Sequence, residues 1–133
     1  MRHKIAAVGC VVVALFAVPS LSAHHSISAI FDAGTQVAVT GTLTKIDWIN
    51  PHIVVAVEAK SDRGTIDQWT FQSNPPSWYR SVGLARADFA ESLGQTVTVE
   101  GVRARDGSLA AYMQKITLPN GTSLELVSSA NLK

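Results

Sequence analysis

The sequence predicts an all-β fold with a short helical insert: a small OB-like Greek-key barrel of five to six strands. Three observations lead there. Apolar residues alternate with polar ones through successive short runs bounded by turn residues, the signature of half-buried strands. The first run is long and changes parity midway, which marks a bulged or sharply coiled strand. A proline-rich, helix-type stretch separates the third run from the fourth. A long coiled first strand and a helix between strands three and four belong to the OB-fold. A plain β-sandwich shares the alternation, but the helical insert counts against it.

Taken in order, residues 24–35 form a lead-in, and from Ser26 to Gly34 they show no sustained period; Ile27, Ile30 and Phe31 are available to tack the lead-in onto a core. The barrel is expected over residues 36–127. "QVAVTGTLTKIDWI" places Val37, Val39 and Leu43 on one parity and Ile46 and Trp48 on the other, so a bulge is expected at Gly41 or at Thr44–Lys45. "HIVVAVEA" is apolar on both parities and reads as a central second strand. Arg63-Gly64 supplies the turn into a third strand, "TIDQWTFQ". In "SNPPSWYRSVG", Ser73 or Asn74 is a cap candidate, the prolines suit a first helical turn, and Gly83 suits a stop. "ARADFAESLG" adds a short helical turn, with Phe89 and Leu93 facing the core. "QTVTVEGVRA" alternates through Val97 and Val99 as strand four, and "SLAAYMQKITL" follows the turn "RDGS" as strand five. Asn120-Gly121 makes a hairpin turn into a short sixth strand, "TSLELVS", and residues 128–133 are a tail.

The first 23 residues have a different character. Arg2 and Lys4 precede an apolar run of 14 residues from Ile5 to Val18, then Pro19 and the small residues of "SLSA". This is the layout of a secretory signal peptide cut after Ala23, with a cut after Ser22 as the alternative. A membrane-spanning helix needs roughly 20 apolar residues, and the run is shorter. Cys10, the only cysteine, interrupts the apolar run rather than ending it, as a lipid-modified cysteine would not. The expectation is a periplasmic or secreted protein with no stable membrane anchor after cleavage and no disulfide. Removing Arg2 and Lys4 from 11 basic residues leaves 9 against 10 acidic ones. That balance argues against nucleic acid as a partner, which requires a basic face.

"AHHS" after the leader, then "FD", "V-TGT-TKI-W-NPH", "L-Q-VTVEG-RA-DGS" and "ITLP-G", together resemble a family of small exported bacterial proteins known as a domain of unknown function. The resemblance spans His24 to about Gly121, and "DWINPH" after "TGTLTKI" is its most specific block. It implies an exported, OB-like β-domain and no established activity. The sequence departs from the family pattern in the insert, which is bulkier and richer in proline.

The residues that can carry chemistry are few. If cleavage falls after Ala23, His24 has a free α-amine. The amine and its own ring Nδ1 then chelate a metal ion, and a second imidazole completes a three-nitrogen site, the histidine brace. Copper(II) favours such tetragonal nitrogen ligation, and the nitrogens must be unprotonated. A cut after Ser22 gives Ala-His-His, whose third-position histidine also chelates Cu(II) or Ni(II). His25 and His52 are the candidates for the remaining imidazole. His52 follows the turn residues Asn50-Pro51, so its ring either joins the metal site or satisfies a carbonyl of that turn. Trp48, Trp69 and Phe71 read as core residues on strands. Trp78 and Tyr79 lie on the insert, where half-exposed rings would offer a stacking surface; with Trp48 and Asn50 they are candidates for a ligand-binding rim. Acidic residues such as Asp47, Asp67 and Glu100 read as solvated strand positions, and no catalytic motif stands out.

Three functions are compatible with these residues. The first is a periplasmic binding module that holds a copper ion at its processed N-terminus. The second is an accessory protein that binds a partner enzyme or a small apolar ligand at the barrel rim, with the histidines incidental. The third is an oxidative copper enzyme, for which no substrate-site signal is present.

Overall fold

Alternation of apolar residues builds a six-stranded, mostly antiparallel sheet with three short helices, seen in a computed structural model that describes residues 26–126. The leader, Cys10, His24, His25 and the tail lie outside the described residues. The elements run α1 (Ile27–Ile30), β1 (Phe31–Asp47), β2 (Val54–Lys60), β3 (Ile66–Gln72), α2 (Pro76–Ser81), α3 (Arg86–Ala90), β4 (Thr96–Ala104), β5 (Ala110–Thr117) and β6 (Ser123–Glu125). The strand order is β3-β2-β1-β4-β5-β6, and a parallel β3–β5 pairing links the two halves, with Phe71 opposite Ala111. Strand bonding therefore runs in a closed ring through five strands, with β6 attached outside it on β5. The expected all-β fold with a helical insert is present, with the insert between β3 and β4. Among the described residues no helix is long and apolar enough to cross a membrane.

The parity change in β1 has the expected cause at one of its two expected places. The register against β2 shifts between Leu43 and Lys45, leaving Thr44 as the extra residue. Leu43 and Ile46 thus both reach the core, although they are three residues apart. Gly41 is not bulged. It lies where β1 crosses β2 so closely that a Cβ would collide with the Glu58 carbonyl. Gly101 plays the same part against the Tyr112 carbonyl, beside a second register shift between β4 and β5.

Inside the ring, Leu43, Ile53, Val55, Val57, Phe71, Val97, Val99, Met113 and Ile116 are buried, with Tyr79 and Phe89 of the insert closing one side of the cluster. A second, smaller cluster unites Phe31, Val102, Ala104 and Tyr112, with Ile27 packed against it. Arg103 lies over the Trp69 ring at 5.5 Å, a cation–π contact.

Three local expectations are corrected. The lead-in holds more structure than its pattern shows: Ile27–Ile30 is helical, and β1 starts at Phe31 rather than at Gln36. Only Phe31 pairs with β4 before the register resumes at Gln36, so the segment between them has no alternation to read. The cap of α2 is Pro75, not Ser73 or Asn74, whose side chains are engaged elsewhere. Leu93 is 38% exposed, because the chain turns after α3 and only Phe89 points inward. Gly83 ends the second helix as expected, with φ at +79° and its N–H donated to the Arg80 carbonyl.

Candidate functional site

The β1–β2 connection and the end of β3 meet at one rim of the ring. Ser73 N–H donates to the Ile53 carbonyl at 2.8 Å, and Ile53 N–H donates to the Asn74 carbonyl at 3.1 Å. This pair of backbone bonds continues the β2–β3 ladder past its last paired residues and fixes the backbone beside His52. The half-buried His52 ring then reaches across, with Nδ1 at 3.0 Å from the Ser73 carbonyl oxygen. The carbonyl it satisfies is thus not in its own turn but at the end of β3.

Behind this pair the polar groups are buried and joined. The Ser73 hydroxyl lies 2.6 Å from the Tyr79 hydroxyl, and both residues are 0% exposed. Asn74 ties two further elements to the rim: it accepts from the Tyr112 hydroxyl at 2.9 Å and donates to the Leu126 carbonyl at 3.1 Å. Tyr112 in turn packs against Phe31 at the start of β1, with ring centroids 5.7 Å apart. A chain of contacts therefore runs from the first residue of β1 to His52.

The aromatic candidates behave differently from one another. Tyr79 is enclosed by Trp48, Trp78 and Phe89, with centroids at 5.0, 5.1 and 5.7 Å. Burial pushes its hydroxyl pKa up to about 12, against the opposing pull of the Ser73 hydrogen bond. Tyr79 is therefore no stacking surface, which corrects the expectation of half exposure: the short helix turns this ring inward to fill the mouth of the core. Trp78 remains half-buried on the outer side of Tyr79, and Trp48 is half-buried against Tyr79 and Phe89. Phe71 is a core residue as expected, whereas Trp69 is half-buried and packs against the core, its ring stacked on that of Phe71 with centroids 6.0 Å apart. Asn50 is exposed at the tip of the connection, before a cis bond to Pro51.

The rim thus links His52 through Ser73 to Tyr79 and its neighbours Trp48 and Trp78, while Asn50 is exposed two positions before His52. His52 is the single histidine among the described residues. Among those residues no three His, Cys, Asp or Glu side chains gather into a metal-holding group. Sequence reasoning missed the parts played by Ser73, Asn74 and Tyr112. The available signal was a Ser-Asn pair between a strand and Pro-Pro, where the prolines can continue the strand poorly and the polar side chains are free to turn inward. A separate groove of about 330 Å³ lies between α3 and the β5–β6 hairpin, with Leu84, Asp88, Glu91, Leu118 and Leu124 in its wall. None of the residues nominated from sequence lines it.

No curated protein and no solved structure matches the chain. The model of one protein family does, over residues 11–113, which takes in β1 to β4, the insert and the first half of β5. With well over half of its length matched, the chain belongs to that family, the family of unknown function DUF6152.

Proposed function

We propose that the protein is an exported binding module that holds one copper ion between its processed N-terminus and the rim histidine. His24 supplies the α-amine and ring Nδ1 after cleavage, and His52 or His25 supplies the third nitrogen. The observation that carries this reading is the tie between the start of β1 and the rim. Ile27 packs on the cluster of Phe31 and Tyr112, and the Tyr112 hydroxyl is bonded to Asn74, next to the carbonyl that receives His52. Ile27 follows His24 by three positions, a reach of roughly 10 Å when extended.

The test uses protein exported from a bacterial host, with its first residue determined by intact mass. A chain beginning at His24 is expected to bind one Cu(II) tightly in calorimetry. An added N-terminal Met displaces the primary amine and is expected to weaken binding by more than the roughly 10–100-fold that outer-shell changes cost. His52→Ala weakens binding similarly if the rim histidine is the third ligand, and leaves it unchanged if His25 is. Equal affinity of the native-start and Met-extended proteins would reject the copper reading.

A second reading rests on a different observation. Ile49 and Val82 are 63% and 51% exposed beside the half-buried Trp48 and Trp78. An accessory protein that docks a partner enzyme or small apolar ligand on this rim would use those side chains. Loss of partner or ligand binding on Ile49→Asp, with Cu(II) binding absent, would favour it over the metal site.

A further inference from the structure

We infer that Tyr79 is a positioning residue for His52, and that it holds the rim histidine as the Nδ1–H tautomer with the Nε2 lone pair free to bind. The argument starts from the acceptor. A backbone carbonyl oxygen only accepts, so a ring nitrogen 3.0 Å from the Ser73 oxygen must carry the hydrogen. In a neutral imidazole the other nitrogen then has the lone pair. An unconstrained histidine side chain prefers the opposite tautomer, so the Ser73 carbonyl selects the less common form. The inference rests on the copper reading only for the use to which that lone pair is put, because ligating histidines typically donate their other N–H to a carbonyl or carboxylate.

A carbonyl can select a tautomer only if it stays in place, and the fold holds this one on two sides. The Ser73 N–H is bonded to Ile53, which directly follows His52. The Ser73 hydroxyl is bonded to Tyr79, whose ring is enclosed by three aromatic neighbours. Tyr79 therefore acts on His52 through Ser73. The tyrosine hydroxyl can be removed with little change in shape.

The experiment reads the His52 ring nitrogens by ¹⁵N NMR in metal-free protein, at a pH where the ring is neutral. His52 is distinguished from the other histidines by the loss of its signals in His52→Ala. The wild-type ring is expected to be protonated on Nδ1. Tyr79→Phe is expected to convert it to a mixture of tautomers. Phe89→Leu, which loosens packing around Tyr79 without removing the hydroxyl, is expected to lower stability and leave Nδ1 protonated. Where His52→Ala shows the rim histidine to be the third copper ligand, Tyr79→Phe is expected to weaken binding about 10-fold, the low end of outer-shell effects. A wild-type ring protonated on Nε2 would overturn the inference, as would a Tyr79→Phe ring indistinguishable from wild type. Because the NMR measurements contain no metal, they stand or fall independently of the copper reading.

Discussion

Removing the hydroxyl of Tyr79 alone and together with that of Ser73 tests the buried polar pair at the centre of the rim. Both residues are 0% exposed, and their hydroxyls are 2.6 Å apart. Tyr79→Phe keeps the ring against Trp48, Trp78 and Phe89 but leaves the Ser73 hydroxyl without a partner in dry surroundings. An unsatisfied buried polar group costs about 1–3 kcal/mol. Ser73→Ala strands the Tyr79 hydroxyl in the same way, so its cost falls in the same range of about 1–3 kcal/mol. If the two acted independently, the double variant would lose about 2–6 kcal/mol, the sum of those ranges. Removing both partners together leaves no orphan, and such paired replacements are nearly neutral apart from the small void left behind. The double variant is therefore expected to be no less stable than the worse single variant, an interaction energy of about 1–3 kcal/mol. Urea denaturation followed by far-ultraviolet circular dichroism measures this as shifts in midpoint at constant slope. In a heat scan each kcal/mol moves the midpoint by roughly 4–8 °C for a domain of this size. Additivity of the two single costs within about 0.5 kcal/mol would refute the reasoning.

Two further outcomes follow from the same geometry. The folded pKa of Tyr79 is raised by burial to about 12 from its ordinary value of 10.0, and that of Tyr112 is raised by burial as well. Folding therefore favours the protonated phenols, so their contribution to stability is complete below pH 10 and is lost as pH rises through the folded values; spectrophotometric titration should show less phenolate at pH 10 in native protein than in urea-unfolded protein, and equal phenolate in the two would contradict the burial of these rings. Gly41→Ala places a methyl group against the Glu58 carbonyl, a backbone group that cannot swing aside; overpacking of this kind costs about 1–3 kcal/mol, and a thermal midpoint unchanged from wild type would show that β1 and β2 do not cross as closely as described.

Much of the fold was legible because its signals are local. Alternation through Val37, Val39, Leu43 and then Ile46 marks both the first strand and its bulge at Thr44, since a one-residue insertion must flip every later side chain. Gly83, Gly107 and Gly121 mark a helix end and two turns because each takes a positive φ, which other residues resist. Pro75-Pro76 marks the first turn of a helix, where a missing N–H costs nothing. These follow from periodicity and backbone sterics over a few residues, and the sequence alone determines them. The partners of the rim are of another kind. His52 meets Ser73 across 21 positions, Asn74 meets Tyr112 across 38 and Leu126 across 52. No short-range pattern encodes such pairings, which depend on ring closure bringing the end of β3 beside β5 and on a six-residue helix facing Tyr79 inward. Ser73 and Asn74 look like helix caps locally, because a cap and a buried network draw on the same hydroxyl and amide groups. Which use prevails depends on whether a distant hydroxyl or carbonyl lies within hydrogen-bonding distance, and only the packed tertiary structure decides that.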